Sequence, residues 1–257
     1  MFGRGLRNIL GLMIYHVLPG DAQVEEFKKT GIEGELIVCR EALIYGPIDA
    51  DDIDQFWNER ARFLVGEYGE DEIAYHDNVA RDLAKLLEVE AGDVVNLWFE
   101  YELFCSVNMW FCLSMLKGTG AEVYRVEPIG LDEEDRWNGF GKFKADGLKA
   151  AFELRTQLSS EDIELGASLW DAYRKKDTEK LRELAAGEHD AFPCLGEVAA
   201  AAAEEDLRPL EIVREIMAGG ETEFDNIFAE FKKRAGVYGY GDVQVQKLVD
   251  QLSVSSS

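Results

Sequence analysis

Three short apolar segments, each running straight into charged residues, constrain the fold of this chain more than any other feature. Met13-Ile14-Tyr15-His16-Val17-Leu18 ends at Pro19-Gly20-Asp21, Glu35-Leu36-Ile37-Val38-Cys39 ends at Arg40-Glu41, and Val94-Val95-Asn96-Leu97-Trp98-Phe99 ends at Glu100-Tyr101-Glu102. Each reads as a strand. If the three lie parallel, their carboxyl ends share one rim of a sheet, where open α/β folds place their binding crevice.

Between the strands the periodicity becomes helical. Val24, Phe27 and Lys28 mark a helix over 21–29, ended by Gly31. Ile44-Tyr45-Gly46-Pro47 is a turn, because Gly and Pro together resist both helix and sheet. Asp51 or Asp52 can cap a helix reaching Tyr68, with Ile53, Phe56, Trp57 and Leu64 along it. A further helix is expected over 73–89, and the helix from Leu103 to Leu116 is apolar on most of its circumference. Glu122 to Val126 supplies a fourth strand. Strand alternating with helix is the pattern of a parallel α/β layer.

Past Pro128 the pattern changes. Residues 128–146, with Asp132-Glu133-Glu134-Asp135, Gly139 and Gly141, read as a linker or surface loop, and no strand is expected from Leu148 onward. Helices are expected near 148–155, 160–174, 178–186, 191–205, 209–218, 222–234 and 241–252, with a frayed serine-rich end at 253–257. The expected fold class is therefore α/β: a parallel-type sheet of four strands flanked by helices over 13–127, then the linker, then an all-α domain over 147–252. Its last three helices have the lengths and turns of a helix-turn-helix core.

Charge narrows the partners. The chain carries 51 acidic against 27 basic side chains, a net charge of −24. Such a field repels a phosphate backbone, which is bound through Lys and Arg, and it equally disfavours an anionic membrane surface. The presumed recognition helix, Asp242 to Leu252, sets Lys247 alone against Asp242 and Asp250, so nucleic acid is not the expected partner of the last three helices. Protein contact, including homodimerisation, is. Cys39, Cys105, Cys112 and Cys194 show no paired metal spacing, and His16, His76 and His189 stand too far apart for a local zinc motif. The aspartates 49, 51, 52 and 54 lack the glycine and glutamate of a calcium loop, and no glycine-rich phosphate loop is present. Arg4 and Arg7 precede an apolar run, but Asn8, Gly11 and His16 interrupt it and no cleavage pattern follows. Met13 reads as an alternative start, with residues 1–12 a loose extension. No run reaches the roughly 20 apolar residues of a spanning helix, and a soluble cytoplasmic protein is expected.

The same segments carry a resemblance. His16-Val17-x-x-Gly20-Asp21, Arg40-Glu41-Ala42-Leu43-x-x-Gly46-Pro47, Phe56-Trp57-x-x-Arg60-Ala61-x-Phe63-Leu64 and Leu97-Trp98-Phe99-Glu100-x-x-Leu103-Phe104-Cys105 resemble a bacterial family named domain of unknown function 1835. Gly219 to Leu252, with Phe224, Phe228 and Tyr238-Gly239-Tyr240-Gly241-Asp242, resembles its companion, domain of unknown function 3658. Together they span nearly the whole chain from Met13. The resemblance implies an architecture and candidate positions, and brings no activity. The chain departs from the family pattern at Ala22, where a serine is expected, at Glu100-x-Glu102 and at Ser106; Ala22 removes any serine nucleophile there.

The candidate ligand-binding residues are His16, Gly20, Asp21, Arg40, Glu41, Gly46, Pro47, Arg60, Trp98, Glu100 and Glu102. Each charged candidate has a second reading. Asp21 can be a helix N-cap, and Glu100 and Glu102 can be acids favoured by a helix dipole. Arg40 can be a guanidinium clamp for a ligand anion, or a structural partner of Asp21 or Glu100. His16 can be a base or a hydrogen-bonded core histidine. Trp98 is core before it is a ligand platform. Three functions are compatible with these residues: binding of a nucleotide-like or zwitterionic metabolite in the rim crevice, a magnesium-dependent hydrolase or phosphotransferase with Asp21, Glu100 and Glu102 as oxygen ligands, and a non-enzymatic interaction or regulatory protein. Whether the protein is an enzyme stays open at this level.

Overall fold

In the computed structural model, which describes residues 11–69, 71–133 and 135–255, the apolar runs form one sheet: β1 (Ile14–Leu18), β2 (Glu35–Val38), β3 (Val94–Trp98), β4 (Glu122–Val126) and β5 (Thr156–Gln157), in the order β2-β1-β3-β4-β5. The first four are parallel, with His16 of β1 level with both Leu36 of β2 and Asn96 of β3. The expected α/β class is the one found. β5 is a correction: it runs antiparallel beside β4, Arg125 opposite Thr156, where no strand was expected after residue 148. Two exposed polar residues carry no period from which a strand could be read.

From β1 the chain goes outward to β2 and then crosses back to β3 on the other side. The strand order reverses at β1, so the segments leaving β1 and β3 diverge, which is the geometry that opens a crevice at the carboxyl rim. Side chains alternate across the sheet. Tyr15, Val17, Val95, Leu97 and Val123 face one core, whereas Leu18, Trp98 and Val126 face a smaller one with Phe27, Phe140, Leu148 and Ala151.

Helix α1 (Val24–Thr30) follows a 3-10 turn, Asp21–Gln23, and ends at Gly31. Helix α2 (Ile53–Tyr68) begins at Asp52, whose side chain accepts from the Gln55 amide. The helix expected over 73–89 is broken: α3 (Glu72–Tyr75), a wide π turn (His76–Ala80), α4 (Arg81–Ala84) and a 3-10 turn (Lys85–Glu88) succeed one another. The Arg40 guanidinium donates to the Asn78 carbonyl inside that π turn, where the wider winding leaves a carbonyl free for an outside donor. Helix α5 (Leu103–Leu116) is buried on nearly every side because α6 (Ala145–Glu153) is followed by α7 (Ser160–Arg174), which packs along it. Helix α7 carries a capping box between Ser159 and Asp162.

Residues 128–146, expected as a linker, contain the 3-10 turn Arg136–Lys142, and Phe140 in it is buried in the smaller core. Helices α8 (Thr178–Leu184), α9 (Leu195–Glu204), α10 (Arg208–Ala218), α11 (Phe224–Ala235) and α12 (Asp242–Ser255) complete the chain. Helix α9 starts four residues later than expected, because Pro193 and the left-handed Cys194 (φ 64°) precede it. Helix α12 runs on to Ser255 through part of the end expected to fray; Ser256, Ser257, Glu134 and residues 1–10 of the expected extension lie outside the described residues. The larger core is continuous from Met13 to Val245 and joins the sheet to the helical half. Among the described residues no helix is long and apolar enough to cross a membrane.

His16 belongs to this framework. It is fully buried, its Nδ1 accepting from Trp98 Nε1 at 3.2 Å and its Nε2 lying 3.2 Å from the Glu33 carbonyl oxygen. With Nδ1 as acceptor and Nε2–H as donor, the ring is neutral, and burial holds its pKa down at about 4. The unfolded chain binds a proton at His16 near pH 6.5 that the folded chain refuses until about pH 4. Its contribution is therefore fully present above pH 6.5 and lost on acidification through pH 4, by about 3 kcal/mol. Urea unfolding from pH 7 to pH 4 is expected to show that loss in the parent protein and a flatter profile in His16→Asn.

Candidate functional site

At the rim, the charged residues that follow the three strands go to three separate places. Arg40, just past β2, grips Asp21 with two parallel bonds, Nε to Oδ2 and Nη2 to Oδ1, each 2.8 Å. Its Nη1 donates to the Asn78 carbonyl at 2.7 Å and to Asp82 at 3.0 Å. The guanidinium fork is thus occupied by groups of the chain itself. Asp21 does not cap the helix as the alternative reading had it: Gly20 stands at the cap position, no side chain caps the turn, and the carboxylate turns to Arg40 instead. No hydrogen bond or ion pair joins Arg40 to Glu100 among the described residues.

Glu41 points inward. Its Oε2 accepts from Arg60 Nε at 3.1 Å and Nη2 at 2.7 Å, and its Oε1 accepts from the Tyr75 hydroxyl. Arg60 also donates to the carbonyls of Tyr45 and Ala42, and Asn108 donates to the Glu41 carbonyl. Both charges are sealed from solvent. Burial and the Glu41 charge drive the Tyr75 hydroxyl well above the usual tyrosine range, so it stays a proton donor. Arg60 lies over the Phe63 ring, 5.4 Å from its centre, and Gly46 sits against the same ring beside exposed Pro47. This cluster ties the β2 exit to α2 and α5. Trp98, wholly buried, stacks flat on Phe152 and bonds His16.

Glu100 and Glu102 face the other way, toward the helical half. Glu100 accepts from the Phe140 amide at 2.6 Å, and Glu102, at the N-cap of α5, accepts from the Cys105 amide at 2.8 Å. Two glycines let backbone come against these carboxylates. Gly139 (φ 54°, ψ −142°) lies on Glu100 and Gly239 (φ 69°) on Glu102, so closely that a Cβ at either would overlap the carboxyl group. The carboxylates border a cavity of about 260 Å³, walled by Trp137, Asn138, Phe228, Phe231, Gly236 and Tyr240, with Lys232 and Lys233 exposed at its mouth. One oxygen of each carboxylate and the Cys105 sulfur lie within 4.8 Å of one another.

No salt bridge reaches Glu100 or Glu102 among the described residues; Lys232 acts on Glu100 only at a distance. Burial raises the pKa of Glu100. Burial and the Glu100 charge together raise that of Glu102 to about 8. Two desolvated acids this close resist ionising together, so near neutral pH the pair keeps a proton unless a cation arrives. The arrangement can share and move a proton, or hold positive charge.

The structure therefore brings Glu100 to Glu102, Asp21 to Arg40, Glu41 to Arg60 and His16 to Trp98, and does not gather them into one pocket. It adds Cys105, Asn138, Lys232, Gly239 and Tyr240, which sequence reasoning did not single out as site residues. The signal for two of them was the Tyr238-Gly239-Tyr240-Gly241-Asp242 segment, noted only as part of a resemblance. A scan of family models, a search of curated proteins and a search of solved structures each returned no significant match to the chain.

Proposed function

We propose that the protein binds a compact mixed-charge metabolite in the cavity between the β3 exit and the Gly236–Gly241 turn. One observation carries this reading: the buried Glu102 and half-buried Glu100 carboxylates, with no salt bridge to either among the described residues, converge on a cavity of about 260 Å³. Buried charge is normally paired, so the floor calls for positive charge from whatever occupies it. Lys232 and Lys233 at the mouth suit an anionic end, and the aromatic walls suit a short apolar body. Of the two ligand classes expected from the sequence, the zwitterion fits better than the nucleotide. The volume lies below the roughly 300–1,000 Å³ of drug-sized sites, and phosphates would meet carboxylates.

The magnesium-dependent reading loses support. Asp21, one of its three ligands, is held by Arg40, and the third donor beside Glu100 and Glu102 is a thiol, a poor ligand for a hard cation. The resemblance to the paired domains of unknown function remains part of this proposal and adds no activity to it.

A thermal-shift screen of small zwitterionic metabolites tests the reading, since a ligand stabilises the folded state by mass action. A shift of several degrees is expected with a binder, and Trp137→Ala and Lys232→Ala are expected to reduce it without lowering the ligand-free melting temperature by as much. A shift that survives Trp137→Ala and Glu102→Gln together would place the ligand elsewhere.

A further inference from the structure

Three protein donors of mixed hardness meet at the cavity floor: Glu100 and Glu102, two residues apart on the β3 exit, and Cys105, in the first turn of α5. The spacing Glu-x-Glu-x-x-Cys brings them together because the chain turns from strand into helix at Glu102. Glu102 is 5 % exposed and borders the cavity; its carboxylate accepts from the Cys105 amide, with the Phe104 amide and the Cys105 thiol also bearing on it, and no salt bridge reaches it among the described residues. A buried carboxylate that has hydrogen bonds but no counter-charge among the described residues is electrostatically incomplete, and buried carboxylates are completed by pairing or by coordination.

We propose that Glu100, Glu102 and Cys105 form a binding site for a borderline-soft divalent cation, zinc being the best fit, with its remaining coordination position open to the cavity. Two carboxylates and a thiolate are a donor set that zinc accepts and that magnesium and calcium do not. Three protein ligands with an open fourth position is also the pattern of zinc sites that act on a bound molecule. The separation of the donor atoms, up to 4.8 Å, exceeds that of a closed tetrahedral set, so modest side-chain rotation accompanies binding. The balance is simple: Zn²⁺ enters, the Cys105 S–H bond breaks, sulfur keeps the electron pair to bond the metal, and one proton leaves to solvent. Any proton held between the two carboxyls leaves with it. The site lies on the floor of the cavity assigned above, and this inference rests on that reading for its position.

Cobalt(II) is the probe, because a thiolate–cobalt bond gives a near-ultraviolet charge-transfer band that carboxylates alone do not. The chain, stripped with a chelator, is titrated with Co²⁺. The expected result is a band saturating at one equivalent, abolished by Zn²⁺ and unaffected by excess Mg²⁺. Cys105→Ser is expected to lose the band, and Glu102→Gln to weaken binding by at least the ~10–100-fold that loss of an outer partner costs at metal sites. Melting curves without metal verify that each variant folds; should Cys105→Ser unfold, loss of affinity in folded Glu102→Gln carries the test. Absence of Co²⁺ binding, binding without the thiolate band, or a band that persists in Cys105→Ser would overturn the proposal. A zwitterionic ligand that shifts the melting temperature with chelator present, in protein that binds no Co²⁺, would remove the metal while leaving the binding reading intact.

Discussion

Arg60→Met is expected to destabilise the protein by about 3–5 kcal/mol, because it leaves the Glu41 carboxylate buried with its counter-charge gone. The pair has no exposure on either side, and Oε2 takes both Arg60 nitrogens. Methionine fills much of the arginine stem's volume, so the loss reports charge rather than a cavity. Glu41→Gln combined with Arg60→Met is expected to recover much of the loss, since a neutral amide needs no ion pair and can still accept from Tyr75. Urea unfolding of the four proteins in the cycle measures the coupling. A single-mutant loss below about 1 kcal/mol, the range of exposed pairs, would mean that water reaches Glu41.

Gly139→Ala is expected to have the second large effect, on the site as well as on stability. The backbone there (φ 54°, ψ −142°) lies where side-chain-bearing residues are strained, at about 1–3 kcal/mol. The new methyl would also overlap the Glu100 carboxyl group, which has the Phe140 amide to lose if it moves. Melting temperature reports the first consequence and ligand- or metal-induced stabilisation the second. Both are expected to fall. Gly141→Ala, two residues on, has open space for its Cβ and serves as the control. Equal behaviour of the two variants would show that Glu100 is not held as described.

What the sequence made legible follows from physical range. Strands such as Val94–Trp98 and helices such as Leu103–Leu116 and Ser160–Arg174 were readable because their signals are local: apolar runs, capping residues, glycine stops. Glu100 and Glu102 were visible as candidates for the same reason, as acids at a strand exit. Their companions were not. Cys105 sits within an apolar run, where a thiol looks like any small hydrophobe, and Gly239 and Tyr240 arrive from more than a hundred residues away. Expecting one pocket failed to allow for competition among partners. Arg40 meets Asp21, Asp82 and the Asn78 carbonyl before it could meet Glu100, and Glu41 finds Arg60 and Tyr75 within the fold. Residues 128–146 lacked any period to read, yet they supply the amide that holds Glu100.

Helix α5 has a consequence for how the protein is made. Trp110, Phe111, Leu113 and Leu116 on it are buried, and α7 packs along it. On the ribosome α5 emerges well before α7, at about 5–20 residues per second, so the face of this oily helix that α7 covers waits several seconds exposed. Nascent chains in which α5 but not α7 has left the ribosome should therefore be captured by hydrophobic-binding chaperones, and chains in which α7 has emerged as well released.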